Sequence, residues 1–279
     1  MITMKSLKIT PAYILLVIMS VIWLFPIFFI VLNSFRLEGS FYVGYLIPKK
    51  IGLDNYINIL TDTSRFTYLN WFKNSMIVAT FSCIGSTLVV ISTAFAISRL
   101  RFRGRKTIMK FLMILGMFPS VMTMIAVYYV IKGMGLAQSL SALIIVNAGT
   151  SALGYLVAKG FFDTVPRSLD EAAYIDGATK VQVFFKIMLP IAKPILVYTM
   201  LTSFLGPWSD YIFATVILGD KRGKYTMPMG LFSMISRDNI DRYFTQFAAG
   251  AVMVSIPIST LFMCLQKYYV EGLSGSVKG

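Results

Sequence analysis

Six stretches of about twenty apolar residues follow one another along the chain, over residues 12–33, 75–98, 110–131, 136–158, 195–218 and 247–266. A bilayer's hydrocarbon core is roughly 30 Å thick, and a helix rising about 1.5 Å per residue needs roughly 20 apolar residues to cross it. The repetition therefore predicts an all-α, polytopic membrane protein with six transmembrane helices, forming one transmembrane domain over residues 1–279. Composition agrees with this class. With 57% hydrophobic and 14% charged residues, and a mean hydropathy of +0.73, the chain has too little charge to coat a water-soluble body of its size. Lys5 and Lys8 precede the first apolar run as they would in a secretory leader. That run is too long for one and no small-residue cleavage site follows before Arg36, so it reads as a retained helix.

The net charge of +14, with no histidine, could suggest nucleic acid. The basic residues instead sit at the ends of apolar runs, where they act as topology signals, and no nucleic-acid partner is expected. Arg99, Arg101, Arg103, Arg105 and Lys106 follow closely between the second and third runs with no acid among them, and such a loop is hard to export. The expectation is a cytoplasmic loop there. An even number of spans then puts both termini inside, together with the connection over 159–193. Cys83 and Cys264 both fall in apolar runs and indicate neither a disulfide framework nor a metal site.

That inner connection carries the sequence EAAYIDGATKVQVFFKIMLP at 171–190. Pro166 followed by Ser168-x-x-Glu171 has capping-box spacing, which predicts a helix starting at Leu169. Gly177 is placed to close it. Thr179-x-x-Gln182 repeats the capping pattern, and Val181, Phe184, Phe185 and Met188 then fall at the spacing of one apolar stripe. Pro190 and Pro194 end the second helix and lead into the fifth span. The product is a cytoplasmic helix-turn-helix over about 166–190. Helices this short need docking to persist. Ala172 and Ala173, small and on the side of Leu169, offer close approach to another surface, while Phe184 and Phe185 can tuck under the chain's own spans.

Within the membrane the conspicuous ionisable group is Asp210, near the middle of the fifth run and one turn after Gly206-Pro207. A carboxylate at that depth is expensive and should face a cavity or a neighbouring helix. A Gly-Pro break is tolerated there only under cover of protein or water. Asp210 thus marks a candidate solute path, with Trp208, Asn147, Tyr155 and Tyr211 as further candidates. Apart from Lys110 at an edge, no Lys or Arg lies in a run to neutralise an anion, and one acid is too little for an ion-driven carrier. Hydroxyls on Ser82, Ser86, Thr87, Thr93, Thr202 and Ser203 suit a neutral, polyhydroxylated solute. Catalytic residues, a metal and a cofactor are not indicated, since a membrane enzyme would need convergent acids, bases or ligands. No G-x-x-x-x-G-K-[ST] occurs; Gly219-Asp-Lys-Arg-Gly-Lys224 has the wrong spacing and lacks the hydroxyl residue, so this chain has no triphosphate cradle of that kind.

Glu171-Ala-Ala-x-x-Asp176-Gly177-Ala178, continuing to Phe184, Ile187-x-Leu189-Pro190 and Pro194, resembles the EAA loop of the membrane-spanning permease subunits of ABC importers. Gly52-Leu-Asp-Asn-Tyr56, Asn74-Ser75, Ala94-Phe-Ala-Ile-Ser-Arg99, Arg101-Phe-Arg-Gly104, Trp208-Ser-Asp210 and the C-terminal segment Gly272 to Gly279 are similar to the second permease subunit of the maltose/maltodextrin type. Where that family commonly has Asn, this chain has Ser209. The resemblance implies a transport subunit in a bacterial cytoplasmic membrane, rather than an enzyme. It implies a heterodimer with a second permease subunit, two nucleotide-binding ATPase subunits, an extracytoplasmic solute-binding protein and an oligosaccharide substrate, malto-oligosaccharides or else another neutral oligosaccharide or polyol. Glu171, Ala172, Ala173, Asp176 and Gly177 would then couple the chain to the ATPase. The outer segment 219–245 would meet the binding protein, and the tail 275–279 would reach toward the ATPase subunits.

Overall fold

The computed structural model describes residues 3–38, 41 and 43–275, with side-chain surroundings for 11–38, 41, 43–151 and 154–266; the tail beyond Gly275 lies outside the described residues. Among the described residues the elements are helical throughout. In chain order they are α1 (Thr3–Ser34), α2 (Asp54–Thr61), α3 (Tyr68–Arg99), α4 (Arg105–Gly116), α5 (Ser120–Gly133), α6 (Leu140–Thr150), α7 (Tyr155–Thr164), α8 (Ser168–Ile175), α9 (Lys180–Val183), α10 (Leu189–Ile191), α11 (Lys193–Ser209), α12 (Ile212–Leu218), α13 (Met227–Met234) and α14 (Ile240–Gly275). Among the described residues the one β pairing is an isolated bridge between Arg36 and Ile51.

Among the described residues three helical segments are long and apolar enough to cross a bilayer alone, Pro11–Ser34, Tyr68–Arg99 and Ile240–Gln266, and the number rises to six if each bent pair of helices is one span. The third expected span is not one straight helix. α4 and α5 meet at 105°, because Pro119 lacks an amide for the helical ladder and holds extended backbone (ψ 128°) as the N-cap of α5. The fourth is α6 and α7 joined by a 3-10 turn over Ser151–Gly154. The fifth breaks at Asp210, whose ψ of 120° takes it out of the helix between α11 and α12. α11 is itself entered through an 82° bend from the helical run Lys180–Ile191.

The chain packs as two compact units. The first comprises residues 1–69 and 230–256. In it α1 turns its apolar side chains outward from Pro11 to Phe28, Trp23 among them, as suits a helix solvated by lipid tails. Asn55 is buried, and its amide donates to the carbonyls of Ser34 (3.1 Å) and Arg36 (2.7 Å), while Tyr56 shares a 2.7 Å hydrogen bond with Ser34 Oγ. These bonds explain the Asn55-Tyr56 pair in residue terms: together they satisfy the end of α1. Later in the unit Tyr68 donates to the Gly250 carbonyl at 3.1 Å. A Cβ on Gly250 would come within 2.8 Å of Leu231 and 2.9 Å of Ile59, so this contact admits no larger residue without movement.

The second unit, residues 70–229 and 257–279, is built on α3. Hydrocarbon tails are as apolar as leucine, so helices here gain little from burial and associate by close packing and interhelical hydrogen bonds. Small residues on α3 provide both. A Cβ on Gly85 would lie 2.9 Å from that of Ala148 on α6, and Ser86 donates to the Asn147 carbonyl at 3.2 Å. Cys83 is buried and its thiol reaches the Met200 carbonyl at 3.2 Å. Lower on α3, Ile91, Ala94 and Phe95 form one core with Phe162 of α7, Ala173 of α8 and Val183 of α9. A second core joins Val78 to Leu143, Ile217 and Leu218.

Candidate functional site

The EAA segment is an elbow of two short helices, as its sequence predicts, but several of its details differ. α8 begins at Ser168, its N-cap is Arg167 in helical conformation, and no side chain caps its first amides. The expected Ser168–Glu171 capping box is thus absent: a cap needs extended backbone at the cap residue, and Ser168 is already inside the helix. The Glu171 side chain is exposed and, among the described residues, enters no ion pair. The helix ends as expected. Gly177 holds φ +82°, and the amides of Ala178 and Gly177 reach the carbonyls of Ala173 (2.9 Å) and Tyr174 (3.1 Å), which together satisfy the last turn. Thr179 then forms the full capping box with Gln182.

The apolar stripe of the second helix is shifted. Val181 and Phe185 are exposed (65% and 58%), while Val183 and Met188 are fully buried. The cause is a π turn over Phe184–Met188, which widens the spacing and rotates the buried face away from the register of an ideal helix. Phe184 keeps its expected place, its ring 4.8 Å from that of Phe95. The two alanines also part company. Ala173 packs into the chain's own core, whereas Ala172 is exposed along with Leu169, Ile175 and Asp176. One alanine anchors α8 and the other lies on its free face.

The anchor of the elbow has a polar component that sequence reasoning missed. Arg99, the last residue of α3, pairs with Asp170 at 3.1 Å, and both side chains are buried, at 3% and 9% exposure. The same guanidinium donates to the carbonyls of Phe162 and Val165. Beside it Ser98 donates to Asp163 at 2.6 Å, and Lys159 pairs with Asp163 at 2.5 Å. The end of α3, the end of α7 and the first turn of α8 are thereby tied at one side chain. Burial next to the Asp170 charge also raises the pKa of Tyr174. The signal available in the sequence was Asp170 beside Leu169 and Glu171: two adjacent acids on a helix point different ways, and one of them needs a partner.

Two openings in the second unit share Asn147, Thr150 and Gly206. One, of about 350 Å³, is walled by α3, α6 and α11, with Ser86, Ser151, Tyr198 and Ser203 supplying hydroxyls. The other, of about 570 Å³, is more apolar and contains Asp210. Among the residues lining either one there is no Lys or Arg. Asp210 has structural work as well: its carboxylate accepts from the amides of Phe213 (3.2 Å) and Ala214 (2.9 Å), closing the first turn of α12. Of the other candidates, Asn147 lines both cavities. Trp208 and Tyr155 are buried at 2% and 1% and line neither; Trp208 packs between Phe72 and Phe204, and Tyr155 sits in the core around Phe162. Tyr211 is half-buried against the second core. Segment 219–245, expected on the outer side, is more structured than its hydrophilic composition predicts. It contains α13, on which Met227, Met229, Leu231 and Met234 are buried, and the Asn74 amide donates to the carbonyls of Gly223 and Tyr225. Burial and the neighbouring Asp220 push the Tyr225 phenol up to about 12.

Residues 86–275, which hold the elbow, both cavities and the Arg99 anchor, match the family described as the binding-protein-dependent transport system inner membrane component. The chain belongs to that family. Among the relatives of this inner membrane component are the galactooligosaccharides transport system permease protein GanQ of Bacillus subtilis (strain 168), 35% identical over 99% of this chain and 97% of that one, and the maltodextrin transport system permease protein MdxG of the same organism, 32% identical over 99% of both. The maltose/maltodextrin transport system permease protein MalG of Escherichia coli (strain K12) is 33% identical over 92% of this chain and 91% of its own. In fold the chain is similar to a subunit in the crystal structure of a bacterial ABC transporter involved in the import of the acidic polysaccharide alginate, with a TM-score of 0.83 over 96% of this chain and 98% of that one, at 24% identity. Membership implies, in general, a partner permease, ATPase subunits and a solute-binding protein.

Proposed function

We propose that this inner membrane component is the permease subunit of an ATP-driven importer for neutral oligosaccharides of the malto-oligosaccharide type. It works as one transmembrane domain over residues 1–279, with both termini and the 166–190 elbow on the cytoplasmic side. The observation that carries the solute class is the pair of cavities around Asn147. Their walls hold amide and hydroxyl groups and no cation, on either side of the Gly206-Pro207 and Asp210 break. Such a lining hydrogen-bonds a polyol and gives no counter-charge to an anion. The MdxG and MalG relatives support the sugar. The GanQ relative, at 35% identity, favours a second reading within the same class, galacto-oligosaccharides. Asn147 and Asp210 are the residues proposed at the solute path, with Trp208, Tyr155 and Tyr211 shaping it from behind.

In this reading the elbow takes up the motion of a separate ATPase subunit. Glu171, Ala172, Asp176 and Gly177 form the face that meets it, and Ala173 holds that face to the spans. The chain pairs with a second, different permease and two ATPase subunits, and segment 219–245 meets an extracytoplasmic solute-binding protein. The test is uptake of labelled malto-oligosaccharides and galacto-oligosaccharides in cells lacking this chain and in cells with it restored. Loss and recovery of either sugar supports the reading and tells the two apart. Unchanged uptake of both sugars counts against it.

A further inference from the structure

At the foot of the elbow lies a third opening, of about 350 Å³, lined by the cations Arg99, Arg101, Arg167 and Lys180 and the acids Asp170 and Glu171. Four positive charges face two negative ones, and the Arg99–Asp170 pair leaves the excess on the other cations. Among the described residues Arg101, Arg167 and Lys180 enter no ion pair. Two polar atoms here are buried without a hydrogen-bond partner, Nε of Arg99 and Oδ1 of Asp170. Buried polar atoms are nearly always satisfied, so a donor and an acceptor left unsatisfied on two residues that line one pocket point to a ligand that offers both an acceptor and a hydroxyl.

We propose that this pocket binds the phosphoglycerol headgroup of an anionic phospholipid. Depth supports a lipid. α3 has 32 residues, about 48 Å at 1.5 Å per residue, against roughly 40–45 Å for a bilayer with its headgroups. The apolar run of α3 ends at Ser98, and Arg99, the helix's last residue, opens the basic run Arg99 to Lys106, where such a span meets the headgroups. Chemistry selects the headgroup. Phosphate oxygens accept from Arg99 Nε and from Arg101, Arg167 and Lys180, and a glycerol hydroxyl donates to Asp170 Oδ1. An ethanolamine headgroup would instead bring a further cation among four. The bound lipid completes the hydrogen bonding of the side chain that ties α3 to α8, and so stiffens the base of the elbow.

The test uses the whole importer, reconstituted from an equal mixture of phosphatidylglycerol and phosphatidylethanolamine, then extracted and analysed by native mass spectrometry. The intact complex is expected to retain phosphatidylglycerol in preference, and the triple variant R101Q/R167Q/K180Q to retain at least tenfold less while keeping its ATPase subunits. Equal retention by the variant, or no preference in the parent complex, overturns the proposal. Loss of the ATPase subunits with lipid retained also overturns it, and assigns the pocket to the protein partner. Inorganic phosphate and glycerol phosphate, titrated onto the lipid-loaded complex, are expected to displace nothing. Displacement at low millimolar concentration would make this a site for free anions and sink the lipid assignment.

Discussion

Single side chains in this molecule combine charge and backbone support, and Asp210 shows how to separate the two. Its carboxylate caps α12 with one oxygen on the Phe213 amide and the other on the Ala214 amide; asparagine, with one acceptor oxygen, keeps one of these bonds, whereas alanine keeps neither and costs roughly 0.5–2 kcal/mol. Asp210→Asn should therefore melt between the parent and Asp210→Ala, which should melt earliest. If Asp210→Asn melts as early as Asp210→Ala, the capping account is wrong. Gly177 is open around its Cβ but fixed at φ +82°, so substitution there is a pure backbone strain. Gly177→Ala should cost about 1–2 kcal/mol, and uptake per ATP hydrolysed should fall while membrane levels of the chain hold. A coupling ratio equal to the parent's would contradict the elbow's role. At Gly250 the obstacle is instead space, since Leu231, Ile59 and Tyr68 leave no room. Gly250→Leu should lower the yield of folded chain, measured as monodisperse complex after extraction.

At the scale of elements the two alanines give the cleaner contrast. Ala173→Leu forces a larger side chain into the core around Phe95 and Val183, an overpacking cost of about 1–3 kcal/mol, and should lower the melting temperature. Ala172→Leu alters only the exposed face, so it should leave melting unchanged and weaken co-purification of the ATPase subunits. The anchor behaves as a unit. Removing either Arg99 or Asp170 leaves a buried charge unpaired, worth about 3–5 kcal/mol, and a double-mutant cycle should return a coupling well above that of a surface pair. Sequence made the elbow legible because glycine at a left-handed position and Thr179-x-x-Gln182 are local devices. It did not show that Ser168 lies within its helix, or that a π turn rotates the stripe, because both depend on how α8 and α9 seat against α3. Arg99 read as a topology charge because nothing near it in sequence is its partner.

For the whole molecule, the apolar runs follow from bilayer thickness and so were readable from composition alone. Their breaks were readable in part. Gly206-Pro207 and Asp210 signalled the interruption of the fifth run, whereas Pro119 inside the third run carried the same kind of signal and marks the 105° corner between α4 and α5. Trp208 shows the opposite limit. An aromatic beside Asp210 suits a sugar path, yet Trp208 packs behind the cavity on Phe72 and Phe204, a distinction that only three dimensions make. The 166–190 elbow is proposed as the seat of an ATPase subunit on the cytoplasmic face. This proposal is tested most directly by placing a cysteine at Ala172 in a chain with Cys83 and Cys264 replaced, and cross-linking intact cells with a membrane-permeant bifunctional reagent. The expected product is a covalent adduct with the importer's ATPase subunit, formed only with the permeant reagent. An impermeant reagent that labels position 172 from outside, or a permeant one that traps no ATPase, would contradict it.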